Sequence, residues 1–168
     1  MKMKINLDIK LDVKDLYYFN LKQAYKGMQG FLSILLPLLA LGYAYFSYGQ
    51  VGIGYTLMYL GLAVLFFVYV PVSLYLRAKK VMSNPDNAIV KTLSYEFRED
   101  AIRVSVEEEQ VEFLWDNIYR LVSNKDYIFI YTNRINAYIL PMTQVGDAYG
   151  DLSKLAKDKL PKYRIKMK

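Results

Sequence analysis

The chain has 168 residues, a formal net charge of +6 and a hydrophobic content of 54 %, but it contains no cysteine and no histidine. Disulfides, thiolate metal sites, cysteine nucleophiles and the usual histidine general base are therefore excluded. We expect a protein that is not an enzyme and that has no cofactor and no metal site.

The N-terminal segment predicts a strand that needs a sheet to join. Apolar and polar side chains alternate through residues 3–11, which is typical of a half-buried strand. A lone strand is not stable in water, so we expect it to pair with strands that follow residue 88. Residues 12–27 change to a helical period and predict an amphipathic helix running towards a membrane. Residues 1–29 form the first predicted region.

Residues 30–77 predict a transmembrane helical hairpin. No Asp, Glu, Lys or Arg lies between Lys26 and Arg77, and two apolar stretches cover about residues 31–48 and 51–76. Each is long enough to cross a hydrocarbon core, which takes about 20 helical residues. A cleaved signal peptide and a buried hairpin of a soluble protein are the alternatives. The length of the stretch, the lack of a cleavage motif and the lack of a polar helix face argue against both.

Basic residues predict the orientation of this hairpin. Lys22 and Lys26 precede it, Arg77, Lys79 and Lys80 follow it, and the turn carries no positive charge. Because basic residues favour the cytoplasmic side, both termini should be cytoplasmic. Self-association through the helices stays open: Gly42 and Gly61 permit close helix contact but do not form a G-x-x-x-G pair.

Residues 78–168 predict a cytoplasmic domain made of a small antiparallel β-sheet or barrel closed by a C-terminal helix. Short polar turns separate the predicted strands, and a helix with one apolar face follows at about 148–160. Residues 161–168 could form a last strand or a basic tail. The fold class is thus an α+β membrane protein. The predicted strands are 90–98, 101–106, 110–115, 117–123, 127–132 and 136–141.

Charge is distributed unevenly in this region. Residues 81–151 carry six basic and twelve acidic side chains, whereas residues 152–168 carry seven basic and one acidic. We expect the basic residues next to the hairpin and in the tail to contact anionic lipid headgroups, with an ordinary solvated helix end as the alternative. Nucleic-acid binding is not expected, because the predicted sheet is acidic. The candidate headgroup contacts are Arg77, Lys79, Lys80, Lys162, Arg164, Lys166 and Lys168.

Four segments carry a resemblance to a known family. The motif Trp115-Asp116-x-Ile118, the strands 126-DYIFI-130 and 137-AYILP-141, and the upstream stretch 16-LYYFNLKQA-24 resemble the YcxB-like family of small bacterial membrane proteins. The resemblance implies a cytoplasmic C-terminal domain related to pleckstrin-homology-like (PH-like) sheets, in a bacterial cytoplasmic membrane. Met142 departs from the basic residue that often follows the proline in such proteins.

Several side chains are candidates for a partner site or for the core. Trp115 could anchor a binding groove, although a large aromatic residue between strands is more often part of the core. Three adjacent acids, Glu107 to Glu109, could attract a cation, but they lack the alternating spacing of a calcium loop. The candidate partner or structural positions are Trp115, Asp116, Tyr127, Tyr138 and Pro141.

The leading functional hypothesis is a non-enzymatic, membrane-anchored interaction module that acts as an adaptor or regulator at the inner leaflet. Its partners would be the lipid bilayer and an unidentified membrane or cytoplasmic protein. The alternative is an immunity or stress-protection protein against a membrane-active peptide or toxin, an idea that rests on analogy. An enzyme or transporter is disfavoured, since no paired carboxylates can be assigned and no ionisable residue lies in the predicted spans.

Overall fold

The chain divides into two compact units in the computed structural model, which describes residues 4–167 apart from the side chain of Gln29. The β unit combines the residues up to Leu16 with those from Val81 onwards. The helical unit spans Tyr17–Lys80. The N-terminal strand and the C-terminal β region therefore belong to one unit, although the helical unit separates them in the chain.

The described residues form five helices and eight strands. The helices are α1 Val13–Ala24, α2 Met28–Ser47, α3 Ile53–Met82, α4 Met142–Val145 and α5 Ala148–Lys159. The strands are β1 Ile5–Ile9, β2 Leu93–Phe97, β3 Ala101–Val106, β4 Glu109–Leu114, β5 Arg120–Ser123, β6 Tyr127–Tyr131, β7 Ala137–Pro141 and β8 Ile165–Lys166.

Most element boundaries differ from the predictions by a few residues, and three of the differences have a clear physical cause. Helix α3 continues six residues past residue 76, because its final turns contain good helix formers and two lysines that suit the negative end of the helix dipole. Strand β2 starts later than predicted because Ala88–Val90 form a 3-10 turn, in which the Asn87 side chain accepts a hydrogen bond from the amide of Ile89. Strand β5 is short because Trp115–Asn117 form a second 3-10 turn.

In the helical unit, α2 and α3 are both long and apolar enough to cross a membrane. The mean hydropathy is 1.7 over Gly30–Ser47, and it reaches 2.2 in the most apolar 18-residue window of Ile53–Met82. Most of the large apolar side chains on both helices are exposed, unlike those of a core helix in a soluble protein. The buried residues of the two helices are compact instead: Gly30, Pro37, Ala44, Ser47, Thr56, Ala63 and Ala78.

The two connections between the helices of the helical unit each contain or adjoin a glycine that the backbone geometry requires. The turn between α2 and α3 contains Gly49 at φ +79°, and the amide of Gln50 donates to the Ser47 carbonyl at 3.0 Å. The predicted turn is therefore confirmed. Between α1 and α2, a Cβ on Gly30 would lie 2.6 Å from the carbonyl oxygen of Ala24, so only glycine fits there.

The first sheet has the order β1-β2-β3-β4, and each neighbouring pair is antiparallel. Ile5 pairs with Phe97 and Ile9 with Leu93, and β1 alternates buried and exposed residues along its whole length. The prediction that the N-terminal strand joins a sheet formed after the apolar helices is confirmed.

The second sheet has the order β7-β6-β5-β8. Strands β5, β6 and β7 are antiparallel, but β8 runs parallel to β5. This pair differs from the predicted all-antiparallel arrangement. Two parallel strands need a crossover connection, and α5 lies in the connection between β7 and β8. The C-terminal residues thus form a last short strand, one of the two predicted alternatives.

The core of the β unit combines both sheets and α5. The apolar face of α5 is buried through Leu152, Leu155 and Ala156, as its sequence period predicts. The two sheets meet through aromatic rings, because Tyr95 of β2 lies edge-on to Tyr138 of β7, with 5.9 Å between the ring centroids. Burying this apolar surface is the main favourable contribution to folding.

Candidate functional site

Trp115 lies in the core of the β unit. Its side chain is only 4 % exposed, and its indole Nε1 donates a hydrogen bond of 2.9 Å to the carbonyl of Arg98. A buried indole needs such a partner. This bond links the turn after β4 to the β2–β3 connection. The geometry favours a structural role for Trp115 over a place in an open binding groove.

Asp116 is exposed, and its contact with the rest of the β unit runs through its backbone. The guanidinium of Arg164 donates to the carbonyls of Asp116 at 2.8 Å and Ile118 at 3.3 Å. It also lies over the ring of Tyr163, 5.7 Å from the centroid. The guanidinium of Arg164, one of the candidate headgroup contacts, thus holds the C-terminal segment to the β4–β5 connection.

Tyr127 and Pro141 lie opposite each other at one end of the second sheet. The hydroxyl of Tyr127 donates to the Asp15 carboxylate at 2.9 Å. This contact connects the first turn of α1 to β6. Pro141 is buried and ends β7, immediately before α4. Both positions therefore organise the β unit itself.

Tyr138 belongs to an aromatic cluster between the sheets. Its ring contacts Tyr95 and also Phe113 of β4, with 5.6 Å between the latter two centroids. Burial raises the pKa of the Tyr95 phenol well above its usual range, and the neighbouring Tyr138 raises it further. Burial also raises the pKa of Tyr138. Both phenols stay protonated at neutral pH, so neither is suited to act as a base.

The acidic turn between β3 and β4 holds a lysine. The carboxylate of Glu107 lies 2.7 Å from the ammonium of Lys91, and the backbone of Glu107 adopts φ +51° at the turn. Within residues 4–167, no group of three or more acidic side chains is arranged to hold a metal ion. The turn is a solvated hairpin end tied down by one ion pair.

The predicted basic residues lie at two places in the chain. Arg77, Lys79 and Lys80 are exposed near the end of α3, and Lys162 and Lys166 are exposed near the C-terminus. Lys168 lies outside the described residues. Sequence reasoning missed Lys157, which lines a groove of about 340 Å³ together with Lys162, Ile165 and Met167. The signal was available, because Lys157 lies on the solvent side of the predicted amphipathic helix and faces the tail that follows.

An ion-pair ladder crosses the outer face of the first sheet. Glu96 of β2 lies 2.6 Å from Lys4 and 2.9 Å from Arg98, and Arg103 of β3 lies 3.0 Å from Glu112 of β4. The hydrogen bond from Arg98, together with that from Lys4, lowers the pKa of Glu96 to about 2. Arg103 also lies 3.8 Å from Glu96, so the ladder runs from Lys4, which precedes β1, across β2 and β3 to β4.

Strand β4 is the second feature that sequence reasoning missed. It is the outermost strand of the first sheet, and among the described residues its pairing partner is β3 alone. Five of its six residues are exposed, and Val111 and Leu114 are 49 % and 53 % exposed although they are apolar. The sequence predicted the strand but gave no signal for its position at the edge.

A model of a known protein family matches part of the chain. The sequence model of the YcxB-like protein family matches residues 97–156. This segment includes the Trp115 motif and the strands that follow it, so the predicted resemblance is confirmed there, whereas the stretch 16–24 lies outside the matched range. No curated protein and no solved structure matches the chain.

Proposed function

We propose that the protein is a non-enzymatic interaction module anchored in a bacterial cytoplasmic membrane. The observation that carries this proposal is the exposure of large apolar side chains along nearly the whole of α2 and α3. Water solvates such surfaces poorly, whereas lipid tails suit them, and both helices have the necessary length. The β unit supplies the part that acts in water.

Strand pairing supports an even number of membrane crossings. Strand β1 precedes the apolar helices, β2 follows them, and the two are hydrogen-bonded neighbours in one sheet. Both flanks of the helical unit must then lie on the same side of the bilayer. The positive-inside rule favours the cytoplasm for that side, because Lys22, Lys26, Lys79 and Lys80 all flank the helices.

Seven of the eight described strands, together with α5, support the proposal of a PH-like domain. An antiparallel set of four strands is followed by an antiparallel set of three, β5 to β7, and then by α5. We infer a PH-like domain from this order, with β8 as an addition. Such a domain positions loops and edges for binding and needs no catalytic group.

The basic groove gives the β unit a candidate contact with the inner leaflet. Two ammonium groups, on Lys157 and Lys162, lie beside the apolar side chains of Ile165 and Met167. An anionic phospholipid offers the complementary pair, a phosphate and the first methylenes of its acyl chains. Holding the β unit at the membrane raises its effective concentration near membrane partners, which is what an adaptor or regulator requires.

Recovery of the tagged full chain from its native membrane in mild detergent, followed by mass spectrometry of proteins and lipids, tests this function. We expect a stoichiometric protein partner together with enriched anionic phospholipid. Recovery of the chain from the soluble fraction would contradict the membrane anchor. A reporter that is active only outside the cell, fused after Lys168, should be silent, and activity there would overturn the orientation.

Deletion of the gene addresses the alternative of a protective protein. If the chain is an adaptor or regulator, a deletion strain should keep its normal sensitivity to membrane-active peptides. Sensitivity that appears on deletion, and is restored to normal by the full-length chain, would replace the adaptor proposal with an immunity or stress-protection role.

A further inference from the structure

We propose that the free edge of β4 binds an extended segment of a partner protein by β-strand addition, and that this segment alternates basic and apolar side chains. The inference rests on the proposed function as an interaction module, and it names the surface and the chemistry of the partner. It is carried by the position of β4 at the edge of the first sheet and by the exposure of both its faces.

The backbone of β4 offers a regular set of hydrogen-bonding groups. All six of its residues are in register with β3, from Val106↔Glu109 at the turn to Ala101↔Leu114. Facing pairs in an antiparallel ladder alternate between hydrogen-bonded and non-hydrogen-bonded, and the two-residue turn closes on a bonded pair. The amides and carbonyls of Gln110, Glu112 and Leu114 therefore point away from β3, in the spacing that an added strand requires.

The side chains of β4 define what kind of strand fits. Val111 and Phe113 share the inner face of the sheet with Val104 and Ile102, yet Val111 is half exposed, so this face continues past the covered core. The outer face carries Glu112, which lies 3.0 Å from Arg103 on one side and faces solvent on the other. An added strand would bury apolar side chains beside Val111 and place basic ones beside Glu112.

The charge of this edge disfavours pairing with a second copy of the same strand. Residues 107–114 contain Glu107, Glu108, Glu109 and Glu112 and no basic residue. Two such strands would bring like charges together, which destabilises a cross-strand pair. Natural edge strands avoid unwanted pairing with lysine, proline or short length. Strand β4 has none of these, whereas in the second sheet β7 ends in Pro141 and β8 has two residues.

Binding of a labelled hexapeptide of alternating lysine and valine to the full-length protein in a non-ionic detergent tests the proposal. The Gln110→Pro variant removes one outward-facing amide while leaving the ladder to β3 intact, because an edge strand tolerates proline on its solvent side. We expect it to weaken peptide binding about tenfold, from the lost hydrogen bond and the ring that blocks the approaching strand. The control for unchanged binding is Thr143→Ala, at an exposed position outside β4.

Two further probes separate strand addition from general attraction between opposite charges. The same hexapeptide methylated at every backbone amide keeps its charge but has no N–H donor on either edge and cannot form the ladder, so it should bind about tenfold more weakly. A glutamate–valine hexapeptide should not bind. Fluorescence of the single tryptophan, Trp115, reports whether each variant retains its fold.

The outcomes distinguish this proposal from the function on which it rests. Equal binding of the methylated and unmethylated peptides by folded protein would overturn strand addition at β4. A protein partner recovered equally by the wild type and by folded Gln110→Pro would also overturn it while supporting the interaction module. Concentration-dependent dimers that Gln110→Pro abolishes would assign the edge to a second copy instead.

Discussion

The backbone of Lys10 and the side-chain amide of Gln144 exchange two hydrogen bonds, although the two residues are 134 positions apart in the chain. The amide of Lys10 donates to Oε1 at 2.9 Å, and Nε2 of Gln144 donates to the carbonyl of Lys10 at 2.8 Å. The side chain thus takes the place of a neighbouring peptide group just beyond β1. It fixes the N-terminal strand to α4 as well as to β2.

Removing this side-chain amide should destabilise the β unit. We expect Gln144→Ala to lower its free energy of unfolding by about 1–2 kcal/mol, because two partly solvated hydrogen bonds are lost. Gln144→Glu should also destabilise the β unit, since a carboxylate can still accept from the amide of Lys10 but its second oxygen would repel the Lys10 carbonyl. Denaturant unfolding of the full-length protein, followed by Trp115 fluorescence, measures both. Thr143→Ala is the control, and an equal loss in that variant would contradict the assignment.

The ion pairs of Glu96 should make the β unit sensitive to acid. The pKa of this carboxyl is lowered from 4.5 to about 2, so its stabilising effect is complete above pH 4.5 and is lost as the pH falls towards 2. Glu96→Gln should remove this part of the acid dependence and leave stability at low pH almost unchanged. Unfolding at a series of pH values tests this, with the exposed Glu108→Gln as control. A parallel acid profile for wild type and Glu96→Gln would contradict it.

Substitution of Trp115 should lower the stability of the β unit, because this side chain belongs to the core and not to a binding surface. Trp115→Ala leaves a large cavity and should cost about 3–5 kcal/mol. Trp115→Phe keeps most of the apolar volume but leaves the Arg98 carbonyl without its indole donor, and should cost about 1–3 kcal/mol. Thermal unfolding of the full-length protein followed by near-UV circular dichroism measures the order of these effects. Full stability of Trp115→Ala combined with loss of the partner would restore the binding-groove hypothesis.

The groove beside α5 should distinguish anionic from zwitterionic phospholipid. Selective labelling of methionine methyl groups provides a reporter, since Met167 lines the groove and Met142 lies outside its lining. Short-chain phosphatidylglycerol should shift the Met167 signal and leave that of Met142 in place, whereas phosphatidylcholine should shift neither. Lys157→Gln combined with Lys162→Gln should weaken the interaction about tenfold.

A charge-matched double variant is the control for this titration. Lys125 and Lys154 are both exposed and lie outside the groove lining, so Lys125→Gln combined with Lys154→Gln changes the net charge equally. Equal weakening in the two double variants would mean that net charge attracts the lipid and that the groove is not a site.

Much of this fold could be predicted because its periodicities are strong. The strict alternation of residues 3–11 and the uncharged stretch between Lys26 and Arg77 each admit few structures, and β3 has the predicted bounds. The division into two sheets and the parallel pairing of β8 could not be predicted from the sequence. Both depend on which strands become neighbours, and alternation within a strand carries no information about its neighbour.

The candidate positions were harder to interpret than the fold. Trp115 stands out in the sequence for its size, yet its burial and its bond to Arg98 depend on where the β2–β3 connection lies. Arg164 is one basic residue among several in the tail, and only the fold brings it to the carbonyls of Asp116 and Ile118. Lys157 and β4 could not be recognised as candidate sites from the sequence, because the groove and the sheet edge are formed by distant parts of the chain.

The pairing of β1 with β2 also has a consequence for biosynthesis. Asp8 and Ser94 share a hydrogen bond across a separation of 86 residues, and the apolar helices are synthesised between them. A chain emerging from the ribosome therefore exposes β1 before its partner exists, and the first sheet can close only after both helices have been made. Such distant closure is slow, so the interval leaves an unpaired, half-apolar strand open to chaperones or to misfolding.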